Sequence, residues 1–432
     1  MSNLNNVCHI IGVMDNGLDG LTPHALNFIK QADVVIGGAR TLQLFKNEFS
    51  DTAIQNDLTG QLSQVPDWIK QAIEKKQKVV VLATGDPLCH GIAKYLISKL
   101  GNDVCEVIAN VSTVQLACSR LGVAWQDIKI CSVHSRDAGE WSRGAEPSHG
   151  LYELLQQLKQ HDNVAVFTSP ENSPARIARM LQIENLATSF SMSVVADIFQ
   201  DSETVDKLLS IDDAAEKSFA DLNIVVLQRN EKVESTVLFG LEDSSFHQRK
   251  PEKGLITKRE VRAASLASMQ LCRDSIVWDI GAGSGSVGLE AARLCSDGHV
   301  YAIEKNEADF ENALKNQINM NISNYTLLNS KAPQGLENWM DPDAIFIGGS
   351  GGELSELIKL SLQRLRLNGR LVMNFVTLEN MASATQTLKE LNAEWSFTQI
   401  SVSRSQPILH MHRLAAENPV WIVTAQNKTE QV

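Results

Sequence analysis

Ten residues, Asp279-Ile-Gly-Ala-Gly-Ser-Gly-Ser-Val-Gly288, place four glycines between the apolar run Ile276 to Ile280 and the helical stretch Leu289 to Leu294. Glycine reaches left-handed backbone conformations without a steric penalty, so the chain can turn sharply there and leave main-chain N–H groups open at a helix start. The segment therefore demands a strand, a tight turn and a helix in succession. The rest of the chain repeats that demand. Apolar, β-branched runs recur at Val7 to Val13, Val34 to Ile36, Val79 to Leu82, Val104 to Ile108, Val164 to Thr168 and Leu222 to Leu227. After the glycine turn they continue at His299 to Ile303, Tyr325 to Leu328, Ala344 to Ile347, Arg370 to Phe375, Phe397 to Val402 and Val420 to Thr424. Helix-like stretches such as Pro23 to Gln31, Trp68 to Lys75, Ile92 to Leu100 and Leu151 to Lys159 separate the earlier runs. Strand alternating with helix predicts an α/β protein with mainly parallel sheets flanked by helices.

A chain of 432 residues exceeds one compact core. The polar stretch 241–254, with Ser244, Ser245, Pro251 and Gly254, reads as a linker between a domain at 1–240 and another at 255–432. The net charge of -12 argues against a surface that wraps nucleic acid. The seven cysteines form no Cys-x-x-Cys pair and have no histidine cluster beside them, so neither a metal site nor a disulfide framework is expected. No run approaches the roughly 18 apolar residues of a membrane span, and Met1 to Gly12 lacks the pattern of a signal peptide. These features predict a reduced cytoplasmic protein with no membrane partner.

The spacing Gly283-x-Gly285-x-x-Gly288 satisfies the dinucleotide pattern, with Glu304 about twenty residues on to hold ribose hydroxyls. NAD therefore fits the spacing. Asp279, two residues before the first glycine, and the final strands, which suggest a hairpin after the fifth, point instead to S-adenosylmethionine, as in methyltransferases that resemble the Rossmann fold. Gly281, Gly283 and Gly285 are expected to touch the cofactor, Asp279 to orient the turn and Glu304 to bind the ribose. After the fourth strand comes Gly348-Gly349-Ser350-Gly351-Gly352, where amino-directed methyltransferases carry an Asn/Asp-Pro-Pro-aromatic motif. Backbone donors without an aromatic clamp suit a large planar or anionic substrate, so Gly348, Gly349 and Gly351 are substrate candidates. Upstream, Thr257 and Glu260 are spaced as a capping box, and the cations Lys258 and Arg262 are candidates for pairing with substrate carboxylates. No catalytic acid or base stands out.

In the first half glycine or proline follows apolar strands at Gly12, at Gly37-Gly38-Ala-Arg40 and at Thr84-Gly85-Asp86-Pro87. Further along come Asn110-Val-Ser112, Ser132-Val-His134-Ser-Arg136-Asp137 and Thr168-Ser-Pro-Glu171-Asn172. In this order they resemble the tetrapyrrole methylase family. The second half, with Ile256 to Arg262, Asp279 to Gly288, Ala302-Ile-Glu304, Ala332-Pro333, Phe346 to Gly352 and Glu417-Asn418-Pro419, resembles the decarboxylating precorrin methyltransferases.

Those resemblances, which cover nearly the whole chain, imply a fusion. The N-terminal part would have the tetrapyrrole methylase fold of two α/β subdomains, with cofactor in a cleft between them. The C-terminal part would have a Rossmann-like methyltransferase fold with a mostly parallel sheet. The implied activity is S-adenosylmethionine-dependent methylation of precorrin-6B, an anionic tetrapyrrole of cobalamin biosynthesis, at carbon 5 by the first domain and carbon 15 by the second. Loss of the ring C acetate carboxyl would accompany the second methylation and give precorrin-8X. The resemblance also implies Ala332, Gly85, Asp86 and Pro87 as cofactor contacts, His134 and Arg136 as substrate contacts, and a homo-oligomer.

Overall fold

The computed structural model describes residues 7–134, 136–231, 237–249 and 256–427. It divides into two units, the first made of Met1–Gly139, Gln157–Gln182 and Leu186–Glu231, the second of Glu140–Gln156, Ile183–Asn185 and Lys232–Val432.

The first unit holds two sheets. Strands β1 (Cys8–Val13), β2 (Val34–Gly37), β3 (Ile54–Asp57), β4 (Val79–Thr84) and β5 (Cys105–Ile108) are parallel, in the order β3-β2-β4-β1-β5. Side chains alternate across a strand, and here both faces are covered, so β1 and β4 are apolar on both faces, with only the buried His9 interrupting β1. Cys8, Ile10, Val34, Ile36, Val79 and Val81 pack on one face with Ile69 and Leu96 from the helices Val65–Glu74 and Ile92–Leu100. Ile11, Val35, Val80 and Leu82 pack on the other with Ala25 and Ile29 of the helix Pro23–Lys30. The second sheet runs β6-β7-β10-β8-β9, from β6 (Lys129–Ser132), β7 (Asn163–Phe167), β8 (Phe190–Ala196), β9 (Thr204–Ser210) and β10 (Asn223–Arg229). Only β6 and β7 are parallel there; the other three pairings are antiparallel. Antiparallel pairing dominates this one sheet, within a chain whose other large sheets are mostly parallel. A short connection joins β8 to β9, and β9 is an exposed edge strand with no apolar run to announce it.

The second unit is built on β11 (Ile276–Ile280), β12 (His299–Glu304), β13 (Tyr325–Asn329), β14 (Ala344–Ile347), β15 (Arg370–Phe375) and β16 (Glu394–Ile400). A separate hairpin, β17 (Ser403–Ile408) with β18 (Met411–Ala416), precedes the last strand, β19 (Val420–Gln426). The sheet order is β13-β12-β11-β14-β15-β19-β16, with the first five strands parallel and β19 antiparallel to both its neighbours. The order reverses between β11 and β14, and open α/β sheets gather ligands beyond the strand ends at such a reversal.

Part of the expected linker is integral to this unit. The Glu290 carboxylate accepts from the backbone N–H groups of Gly240 and Leu241, both at 2.9 Å, and Phe246 is buried. Pro251, Gly254 and Leu255 lie outside the described residues. Residues 140–156 also belong here. The Tyr152 hydroxyl lies 2.8 Å from the Gly298 carbonyl oxygen and 2.9 Å from His299 Nδ1, whose Nε2 meets Thr326 Oγ1 at 2.8 Å. Burial pushes His299 down to about 3, so the ring is neutral at physiological pH.

Candidate active site

The turn after β11 uses its glycines for two purposes. Gly281, Gly283 and Gly285 have φ of +74°, +58° and +76°, values that disfavour a side chain. A Cβ on Gly281 would also stand 2.5 Å from the Gly349 carbonyl oxygen, so the turn and the loop after β14 approach each other backbone to backbone. Gly285 is the N-cap of the helix Ser286–Leu294. Beneath that helix start Asp279 is buried, and its Oδ2 accepts from the Gly288 N–H at 3.0 Å. A Cβ on Gly288 would stand 2.4 Å from the same oxygen. Burial raises the Asp279 carboxyl to about 7, the Gly288 N–H opposing this and the nearby Glu304 charge adding to it.

Glu304, at the end of β12, braces the turn from the side. Its Oε2 accepts from Gly283 N–H and its Oε1 from Asn306 N–H, both at 2.8 Å. Each carboxylate oxygen keeps a second acceptor position. A cavity of about 300 Å³ opens against Glu304, and its wall includes Gly281, Gly283, Ala332, Gly348, Gly349 and Gly351. Seven expected site residues, dispersed from 281 to 351, thus line one hollow at the strand-order reversal. Gly285 and Asp279 stand behind the wall as supports.

Arg262 is elsewhere. Its side chain has no exposed surface; Nε donates to Glu290 Oε1 at 2.9 Å, one terminal nitrogen to Asp243 Oδ1 at 3.3 Å and the Thr257 carbonyl at 2.7 Å, and the other to the Leu241 carbonyl. The expectation of a substrate contact is corrected: a guanidinium held by two carboxylates and two carbonyls in the interior is structural. Lys258, half-exposed, is the N-cap of the helix Arg259–Met269, displacing the expected Thr257, and the Asp243 carboxylate accepts from Arg259 N–H at 3.0 Å. Several wall residues escaped sequence reasoning. Arg249, which forks onto Asp309, comes from the stretch expected to be a linker; Lys305 and Lys331 follow directly on β12 and, two residues on, β13. Their only sequence signal was adjacency to Glu304 and Ala332.

In the first unit the ends of β1, β4 and β5 converge. A Cβ on Gly12 would stand 2.4 Å from the Gly85 carbonyl oxygen and 2.7 Å from Asn110 Cβ, and Gly85 N–H donates to the Val13 carbonyl at 2.8 Å. Asn110 Nδ2 donates to the carbonyls of Gly12 and Gly20. Asp86 Oδ1 accepts from Leu88 N–H at 2.8 Å, so this carboxylate shapes its own turn. Two hollows of about 650 and 690 Å³ open nearby and share His90, Gly91 and Tyr95. Thr84 lines one and Leu88 the other; Gly85, Asp86 and Pro87, between them, line neither. His134 and Arg136 are exposed on the loop after β6, and His134 Nδ1 meets the Thr168 carbonyl oxygen at 2.9 Å. Ser135 lies outside the described residues. That loop is organised by the fully buried Asn172, whose Nδ2 donates to the carbonyls of Val133 and Arg136.

Among the described residues no helix is long and apolar enough to cross a membrane, and no cluster of His, Cys, Asp or Glu is arranged to hold a metal ion. The family model described as tetrapyrrole (corrin/porphyrin) methylases matches residues 7–205, and the precorrin methyltransferase domain matches 250–426. The chain is 28% identical to a Sinorhizobium precorrin-6Y C(5,15)-methyltransferase [decarboxylating], over 92% of this chain and 91% of that protein. A Mycobacterium tuberculosis protein of the same name is 24% identical over 89% of this chain and 91% of its own length. The cobalt-precorrin-6B C(15)-methyltransferase (decarboxylating) of Salmonella typhimurium is 35% identical over 41% of this chain and 92% of its own length.

Proposed function

The chain belongs to the decarboxylating precorrin methyltransferases, and we propose that it methylates a precorrin-6 tetrapyrrole at carbons 5 and 15 and removes the carboxyl of the ring C acetate. The first unit serves carbon 5, and the second serves carbon 15 and the decarboxylation. The observation that carries the reading is one hollow of the second unit, where the Gly281 turn, Glu304, Ala332 and the loop from Gly348 to Gly351 meet. S-adenosylmethionine fits that wall: the free acceptor positions of Glu304 suit a ribose diol, and side-chain-free backbone lines the approach. The dinucleotide reading of the glycine spacing is disfavoured, and so is a reading in which only the second half carries out methylation, since relatives named for both methylations match across both halves.

When bound, S-adenosylmethionine supplies an electrophilic methyl group on a sulfonium. Transfer to an electron-rich ring carbon is an in-line displacement, so alignment and exclusion of water account for most of what the protein must do. Glu304 holds the ribose end, Asp279 and Gly288 hold the turn rigid, and the loop from Gly348 presents backbone to the flat face of the macrocycle. The macrocycle accepts the electron pair released when carbon dioxide leaves, so no side-chain electron sink is required. A homo-oligomer in the cytoplasm is part of this reading.

Incubating the purified chain with S-adenosylmethionine and reduced precorrin-6, followed by mass spectrometry, tests it. The expected product has gained two methyls and lost one carbon dioxide. One methyl with that loss would remove the first unit from the reaction, and an unchanged mass would overturn the reading.

A further inference from the structure

The wall of the second unit's hollow carries three cations, Arg249, Lys305 and Lys331, against the carboxylates of Glu304 and Asp309, on a chain of net charge -12. They are not equivalent. Arg249 is held in a fork on Asp309. Lys331 pairs with Glu353, at the far end of the glycine loop. Lys305 is exposed and has no hydrogen-bond or ion-pair partner among the described residues. The two lysines come from the ends of neighbouring strands and converge: from the point where a Cβ on Gly351 would sit, Lys305 Nζ is 3.2 Å away and Lys331 Cε 3.6 Å. Gly351, with φ of +61°, provides the space they occupy.

We propose that Lys305 and Lys331, arching over Gly351, form a carboxylate-binding subsite that grips a peripheral acetate or propionate of the tetrapyrrole, with Lys305 the principal contact. This rests on the tetrapyrrole reading above. The Lys305 ammonium has no carboxylate partner among the described residues, and an incoming anion would satisfy it with charge-assisted hydrogen bonds beside the Lys331–Glu353 pair. The carboxylate held is one that the substrate retains. Decarboxylation disperses charge from the departing carboxylate into the macrocycle, so an ammonium contact there would stabilise the reactant more than the transition state. The subsite is therefore a matter of orientation and affinity. It also leaves an unneutralised positive point on an acidic protein, which favours approach of an oligocarboxylate.

Steady-state kinetics on full-length Lys305→Gln, Lys305→Glu and Lys305→Arg, with calorimetric titration of S-adenosylmethionine, tests the assignment. Lys305→Gln should raise KM for reduced precorrin-6 about fivefold to tenfold, the range for a solvated charge-assisted contact. Lys305→Glu should raise it further, and Lys305→Arg should restore most of it. The Kd for S-adenosylmethionine should stay within about twofold throughout, and the rise of KM with salt should be shallower in Lys305→Gln than in the parent. An unchanged KM in both Gln and Glu variants overturns the subsite alone. A parallel loss of cofactor affinity would transfer Lys305 to the cofactor and overturn it equally. A parent protein that transfers no methyl would remove the tetrapyrrole reading and the subsite with it.

Discussion

At the scale of single residues the site separates into groups that touch the hollow and groups that hold it in place. Arg262 belongs to the second kind. Arg262→Ala leaves the Glu290 carboxylate buried without its counter-charge, while Asp243 keeps Arg404, and the loss costs about 3–5 kcal/mol. Thermal melting should show that loss, and at a permissive temperature KM for the tetrapyrrole should be that of the parent. Full stability with a raised KM would return Arg262 to the substrate. Asp279 makes a pH-dependent prediction. Its folded-state value, about 7, lies above the ordinary 3.8, so the folded protein favours the protonated carboxyl. That contribution is complete below about pH 4 and disappears as pH rises through 7. Asp279→Asn keeps an acceptor for the Gly288 N–H and carries no charge. The parent should therefore lose stability relative to the variant, on the order of 1–3 kcal/mol, between about pH 5 and pH 8. Parallel melting curves across that range would contradict it. Asp279, Glu304 and the glycines were legible because each acts through its immediate neighbours along the chain or at the next strand end. Arg262 was misread because a cation beside a helix start looks the same in sequence whether it faces solvent or the core.

At the scale of elements the glycine turn and the loop after β14 depend on each other. Gly281→Ala places a Cβ 2.5 Å from the Gly349 carbonyl at a φ of +74°, so one of the two segments must move. Cofactor affinity should fall at least about tenfold, with far-ultraviolet circular dichroism unchanged because the strands themselves are untouched. Calorimetry with S-adenosylmethionine checks this, and parent-like affinity would show that the close approach is not needed for binding. The elements that the sequence revealed are those buried on both faces, such as β1, β4, β11 and β12, which are mostly apolar along their length. Those it concealed are β8, buried inside its sheet but interrupted by Ser191 and Ser193, and edge or solvent-facing strands: β3, β9 and the β17–β18 hairpin are mostly exposed, and their residues carry no alternation strong enough to separate strand from loop. Pairing partners hold them in place, and pairing is not a local property.

At the scale of the whole molecule the two halves of the sequence are not the two units of the structure. Residues 140–156, from the first half, are part of the second unit, with Tyr152 buried against Gly298 and His299. Tyr152→Phe should therefore destabilise the unit that contains the glycine turn by about 1–2 kcal/mol, the range for a lost buried hydrogen bond that strands a carbonyl. Hydrogen exchange at β12 should report it, and unaltered protection there would mean the segment is dispensable. A fragment beginning after residue 255 lacks this segment and the Glu290 contacts of Gly240 and Leu241. What the sequence by itself determined is the pair of α/β architectures, the glycine turn and the family, because strand runs, positive-φ glycines and helix starts are written in neighbouring residues. What only the tertiary structure decided is which cations face the hollow, that Lys305 and Lys331 converge over Gly351, and that a segment of the first half seats in the second unit. Those outcomes are set by contacts between residues far apart in the chain, whose free energy depends on burial and partners that no local spacing encodes.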